Sequence, residues 1–163
     1  QRTLSLIFKN CEGYLPAIRG HNDDDKALLD LVGATVSQHI PGHYEDLAMS
    51  QGLESWMQAV FACNAYVDVQ APWALKKTDP ERMETVLATL FICIAQLAIA
   101  ALPIIPGSAT KLLDEMGVPL DVRNFHAAGS HWYSPLAESN YQIAQPVGLF
   151  PRLEMPAEEG TAA

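Results

Sequence analysis

The stretch from Val86 to Ile105 is apolar at nearly every position, and no other feature of the chain limits its fold as strongly. A run of that length either crosses a bilayer or forms a helix covered on most of its sides. Thr89 and Gln96 interrupt it, Pro103 falls near its end, its upstream flank mixes acids with bases, and no basic cluster follows. The reading is therefore a central helix inside a bundle, with no membrane partner. Its start is marked by Asp79-Pro80-Glu81: a capping side chain, a proline suited to the first helical position and an acid at the positive end of the dipole.

Four more helices are expected around it, because apolar residues recur at spacings of three and four and strand-like alternation is scarce before residue 120. One is under way at Gln1, carries Leu4, Ile7, Phe8 and Cys11 on a stripe and ends near Gly13. A second begins near Asn22, with Asp23 to Asp25 as a solvated acidic first turn, and its stripe is Leu28, Leu31, Val32, Thr35 and Val36. Pro41-Gly42 interrupts it, leaving either a kinked continuation or a loop with a short turn. The third runs from about Ser50 to Gln70, its inner face read as Leu53, Trp56, Met57, Val60, Phe61, Asn64 and Val67. On that reading Asn64 is a buried amide satisfied within the bundle. Pro72 stops this helix and pushes Ala71 out of the helical region, so that Ala71-Pro72-Trp73 forms a turn projecting the indole. A short last helix spans about Gly107 to Met116. The chain is thus expected to be all-α, a bundle of about five helices over residues 1–116. Residues 117–163 form an irregular extension anchored by Trp132, Tyr133, Leu149 and Phe150 and disordered from about Met155.

The net charge of −9 is the wrong sign for a protein whose whole surface grips phosphates, so any nucleic-acid contact has to be local. The three cysteines, Cys11, Cys63 and Cys93, lack the paired spacing of a zinc site or disulfide framework and read as buried thiols. His39 and His43 stand four apart but with Pro41-Gly42 between them, and no metal site is expected among the histidines.

Asn64-Ala65-Tyr66-Val67-Asp68-Val69-Gln70-Ala71-Pro72-Trp73-Ala74-Leu75-Lys76-Lys77 resembles the helix end and Pro-Trp turn of the anticodon-binding domain of methionyl-tRNA synthetases, which are class I enzymes. Gln1-Arg2-Thr3-Leu4-Ser5 resembles the end of that family's Asn-Leu-x-x-Arg motif, with Arg2 at the arginine. Gly148-Leu149-Phe150-Pro151-Arg152-Leu153-Glu154 resembles the Leu-Phe-Pro-Arg-Ile-Glu passage that closes its core. The resemblance covers roughly residues 1 to 155. It implies a module that recognises the anticodon loop of tRNA(Met): the first anticodon base stacks on Trp73, Arg2 reads its edge, and Pro72 fixes the ring. An unpaired base offers a flat face and a hydrogen-bonding edge, and an aromatic ring with an arginine matches both. Lys76 and Lys77 are candidates for the RNA backbone, and Asn64 is a supporting residue.

The resemblance further implies that the intact protein is a cytoplasmic, monomeric methionine–tRNA ligase using ATP with magnesium. The catalytic half of the same enzyme is then a partner of this segment. The His-x-Gly-His and Lys-Met-Ser-Lys-Ser type signatures of that half do not occur here, so no catalytic residue and no cofactor is assigned within the chain. Three alternatives stand beside this reading. Trp73 could plug the bundle end, Trp73 and Trp132 could make a protein contact in a helical interaction bundle, or the module could serve another class I synthetase.

Overall fold

The computed structural model describes residues 1–129 and 131–150. The Pro151-Arg152-Leu153-Glu154 part of the closing passage and the tail expected to be disordered lie outside them. Eight α-helices are present among the described residues: α1 (Arg2–Asn10), α2 (Asp23–Ala34), α3 (Ile40–Glu45), α4 (Met49–Gln70), α5 (Pro72–Thr78), α6 (Pro80–Ala101), α7 (Pro106–Glu115) and α8 (Tyr133–Glu138). The five expected helices are α1, α2, α4, α6 and α7. The three additional ones are single or double turns too short to register as a periodic pattern.

The central helix is α6. Asp79 caps it, its carboxylate accepting from the Arg82 N–H at 3.0 Å, and Pro80 occupies the first position. It packs against α1, α2, α4, α5 and α7, and 89% of its most apolar stretch lies inside the protein. The run from Val86 is thus the core of the bundle. Thr89, which interrupts it, returns its hydroxyl to the Thr85 carbonyl at 2.9 Å and so enters the interior without an unpaired donor.

Pro41-Gly42 does not break the second helix. Thr35–His39 form a π-helical turn, with the N–H of Ile40 donating to the carbonyl of Thr35, and the chain continues directly into α3. Proline lacks an N–H and crowds the carbonyl one turn back, and a wider turn relieves both constraints without ending the helix. The kinked continuation is the alternative realised, and it places His39 and His43 on one helical stretch.

The inner face of α4 differs from the expected one. Gly52, Ala59, Cys63, Tyr66 and Val67 are buried, whereas Leu53, Met57 and Phe61 are exposed. Small residues face inward because neighbours approach closely: a Cβ on Gly52 would meet the Tyr44 ring of α3 at 2.5 Å. A rule that assigns the largest apolar residues to the core selects the wrong stripe here. Leu31 of α2 is likewise outside the core at 45% exposure, while Leu28, Val32, Thr35 and Val36 are buried as expected.

Beyond Gly117 the chain has few helical hydrogen bonds but is firmly packed. Val118, Val122, Ala128, Trp132, Tyr133 and Ile143 belong to the core cluster, and Trp132 and Tyr133 form an aromatic group with Phe91 of α6. The Tyr133 hydroxyl donates to the Pro16 carbonyl at 2.7 Å, and Tyr14 and Gln142 form an isolated antiparallel bridge. Of the four expected anchors, Trp132 and Tyr133 are buried and Leu149 is half-buried. Phe150 is 72% exposed and so is not buried among the described residues.

Asp25 overturns its reading as part of a solvated acidic run. Asp23 and Asp24 are exposed, but Asp25 is 0% exposed. It completes a capping box with Asn22, receives two hydrogen bonds from the Arg82 guanidinium at 2.5 and 2.7 Å, and accepts from the Tyr66 hydroxyl. A single carboxylate therefore joins α2, α4 and α6. Burial alone would raise its pKa, yet the hydrogen bonds from Arg82, Tyr66 and Asn22 outweigh burial and hold it below the usual carboxylate range.

Breaking a buried ion pair by removing one partner costs about 3–5 kcal/mol, so Asp25→Asn is expected to lower stability by about that amount in urea unfolding at pH 7. A carboxyl with a depressed native pKa stabilises above its unfolded value of about 3.9 and stops doing so as pH falls through the native value. The gap between the two proteins should accordingly close in acid; a gap independent of pH would contradict the ion-pair account. Tyr133→Phe, which leaves the Pro16 carbonyl unpaired, is expected to cost about 1–3 kcal/mol with an unchanged denaturant slope.

Candidate nucleic-acid interface

Trp73, Lys76 and Lys77 all lie on α5, the short helix that replaces the expected turn. Ala71 adopts the left-handed conformation, with φ 43° and ψ 59°, and is at once the last cap of α4 and the first of α5. The following proline keeps Ala71 out of the right-handed helical region, and Pro72 then starts the new helix with its fixed φ. The joint between the two helices is thus one residue long. Pro72 is buried, while Trp73, on the first turn of α5, is 48% exposed. A plug at the bundle end would be covered, and this ring leaves about half its surface to solvent. Lys76 and Lys77 are exposed on the last turn, and no ion pair among the described residues involves them.

Arg2 stands on the first turn of α1 with its side chain 70% exposed, its guanidinium 3.8 Å from the Asp68 carboxylate of α4. Asp68 precedes Trp73 by five residues, so the ion pair brings Arg2 to the end of the bundle from which α5 departs. An exposed contact of this length is weak and exchangeable, and it orients the guanidinium without consuming it. Asp68 carries no mark in the sequence, because a lone acid on a helix is ordinary.

Asn64 is exposed rather than buried, because the inner face of α4 is rotated away from the expected stripe. With Arg2 and Asp68 it borders an apolar groove of about 540 Å³ that Val60, Ile94, Leu97 and Phe150 also line. Trp56, at the same groove, spends its indole N–H on the Leu97 carbonyl at 2.9 Å. Trp73 does not line this groove. The structure therefore gathers Arg2, Asn64 and Asp68 at one rim and places Trp73, Lys76 and Lys77 on the adjoining helix.

Beneath α5 lies a set of residues that sequence reasoning missed. Gln70, the last residue of α4, accepts from Arg82 at 2.8 Å and donates to Asp24 at 3.0 Å. Arg82 therefore serves both Asp25 and Gln70. The spacing from Asn22 to Asp25 is a capping-box signal visible in the sequence, but the partnership with Arg82 spans 57 residues and has no local signature.

None of the three thiols is bridged, and a hydrogen bond with Cys93 lowers the Cys63 pKa. Burial, aided by Glu84, pushes the Cys11 pKa up to about 11, and Cys63 and Cys93 are buried free thiols. Trp132 is only 4% exposed, which removes it from any surface contact shared with Trp73.

A model of the family described as the anticodon binding domain of methionyl tRNA ligase matches residues 15–155. Among curated relatives, the methionine–tRNA ligase of Mesorhizobium japonicum is 40% identical over 157 residues, covering 93% of this chain and 29% of that protein. The Brucella suis methionine–tRNA ligase is 40% identical over 152 residues, covering 93% and 28%. Among solved structures, the free form of Mycobacterium tuberculosis methionyl-tRNA synthetase superposes with a TM-score of 0.85 at 31% identity, covering 96% of this chain and 31% of that one. The same enzyme bound by methionyl-adenylate gives 0.82 at 30% identity. The chain spans under a third of the length of these relatives, and within that span it belongs to the anticodon-binding domain family of methionyl-tRNA ligase.

Proposed function

We propose that this module reads the anticodon loop of tRNA(Met) for a methionine–tRNA ligase, with Trp73 and Arg2 as the reading pair. The observation that carries this is the placement of a half-exposed indole on the first turn of α5, next to a helix end where Arg2 is held by a weak, exposed ion pair. An unstacked first anticodon base lies flat on Trp73, and the guanidinium of Arg2 leaves Asp68 to bond the base edge. Pro72, buried at the start of α5, fixes where the ring stands. Lys76 and Lys77 meet the phosphates, supplying local positive charge in a chain whose net charge is −9. Asn64 shares the groove rim with Arg2 and supports it there.

Residues 1–116 form the reading domain in this account, and residues 117–163 are an extension that braces it. The catalytic half of the same ligase is the other partner, and ATP with magnesium is used there rather than by these residues. The ligase acts in the cytoplasm as a monomer. The reading as a protein-interaction bundle loses its basis with Trp132 buried.

Stacking is worth about 1–3 kcal/mol per base, so Trp73→Ala in the intact ligase is expected to reduce kcat/KM for tRNA by about ten- to a hundredfold. An RNA hairpin carrying a CAU loop should bind this module more tightly than one with an altered first base, as read by a fluorescence titration. Equal affinity for both hairpins, together with unimpaired charging by the Trp73→Ala ligase, would defeat the proposal.

A further inference from the structure

The geometry points to Gln70 and Arg82 as positioning residues that clamp α5, and hence Trp73, in the orientation that accepts the base; this rests on the reading proposed above. The segment from Ala71 to Glu81 contains the whole of α5 and leaves α4 through a single left-handed alanine. A non-glycine residue in that conformation is strained and persists only where the surroundings hold it. A small rotation about Ala71 would swing α5 as a unit and re-aim the ring of Trp73, two residues further on.

Pro72 and Leu75 pack α5 onto the bundle, and one side-chain hydrogen bond ties together the residues that flank it. Arg82 Nη2, from the first turn of α6, donates to Gln70 Oε1 at 2.8 Å, so the residues on either side of α5 are tied across its base. Both ends of that bond are themselves anchored. Arg82 is held bidentately by the fully buried Asp25, and the other end of the Gln70 amide donates to Asp24 Oδ2 of α2. The Gln70 amide therefore has its acceptor and its donor engaged by different helices, and it cannot turn without losing both. Gln70 is only half-buried and contributes no apolar surface to the core cluster. A side chain so placed does more for the geometry of the joint than for the stability of the bundle.

The test uses the intact ligase. Gln70→Ala removes the clamp, and loss of one hydrogen bond from a charged donor is expected to raise KM for tRNA about tenfold while kcat changes less than about twofold. Gln70→Glu combined with Asp24→Asn exchanges donor and acceptor between α4 and α2 while leaving an oxygen for Arg82, and is expected to restore KM to within about twofold of the parent. An unchanged KM in Gln70→Ala, with Trp73→Ala still impaired, would overturn the clamp and leave the reading of Trp73 intact. If neither variant is impaired, both fail. A raised KM accompanied by a fall in Tm of more than about 5 °C, and not restored by the exchange, would make Gln70 an ordinary stability residue and also overturn the inference.

Discussion

The contact between the Asp25 carboxylate and the Arg82 guanidinium fixes the relation of three helices at one end of the bundle. A buried carboxylate is tolerated only with its oxygens fully engaged, and here Arg82, Tyr66 and the Asn22 backbone engage both. Because the partners come from the start of α2, the last turns of α4 and the start of α6, satisfying one acid sets the mutual position of all three. The candidate side chains hang from that arrangement. Asp68 and Gln70 are on the last turns of α4, and α5 is the short bridge between α4 and α6.

The opposite strategy governs the middle of the bundle, where close approach rather than polar satisfaction determines the packing. Helix α6 is apolar on nearly every side and is wrapped by five others. Helix α4 lies near its neighbours by presenting Gly52, Ala59 and Cys63 inward, which leaves Leu53, Met57 and Phe61 on the outside. The π turn at Thr35–His39 lets the second helix carry Pro41 through without leaving the bundle. Tyr133 and Trp132, arriving from a segment with little regular structure, close the same core over Phe91.

Much of this was legible in the sequence, and the parts that were not have physical reasons. The start of α6 was explicit in Asp79-Pro80-Glu81, and its burial followed from its composition. The exposure of Asn64 was missed because helical periodicity identifies a stripe but not which of two plausible stripes faces in, and small residues carry little weight in that judgement. Asp25 was hidden in a run of three acids whose other members behave as a run should. The Arg82–Gln70 bond and the Arg2–Asp68 pair join residues distant in the chain or ordinary in type, and no local pattern marks them. Helix α5 escaped notice because seven residues hold too few turns to show a period.

The account stands on where the first anticodon base rests. A tRNA(Met) carrying 5-bromocytidine at that position, irradiated on the intact ligase and mapped by mass spectrometry, reports the side chains against its face. The account predicts an adduct on the peptide containing Pro72 and Trp73, lost on Trp73→Ala. An adduct on another helix, or one that persists undiminished in that variant, would contradict it.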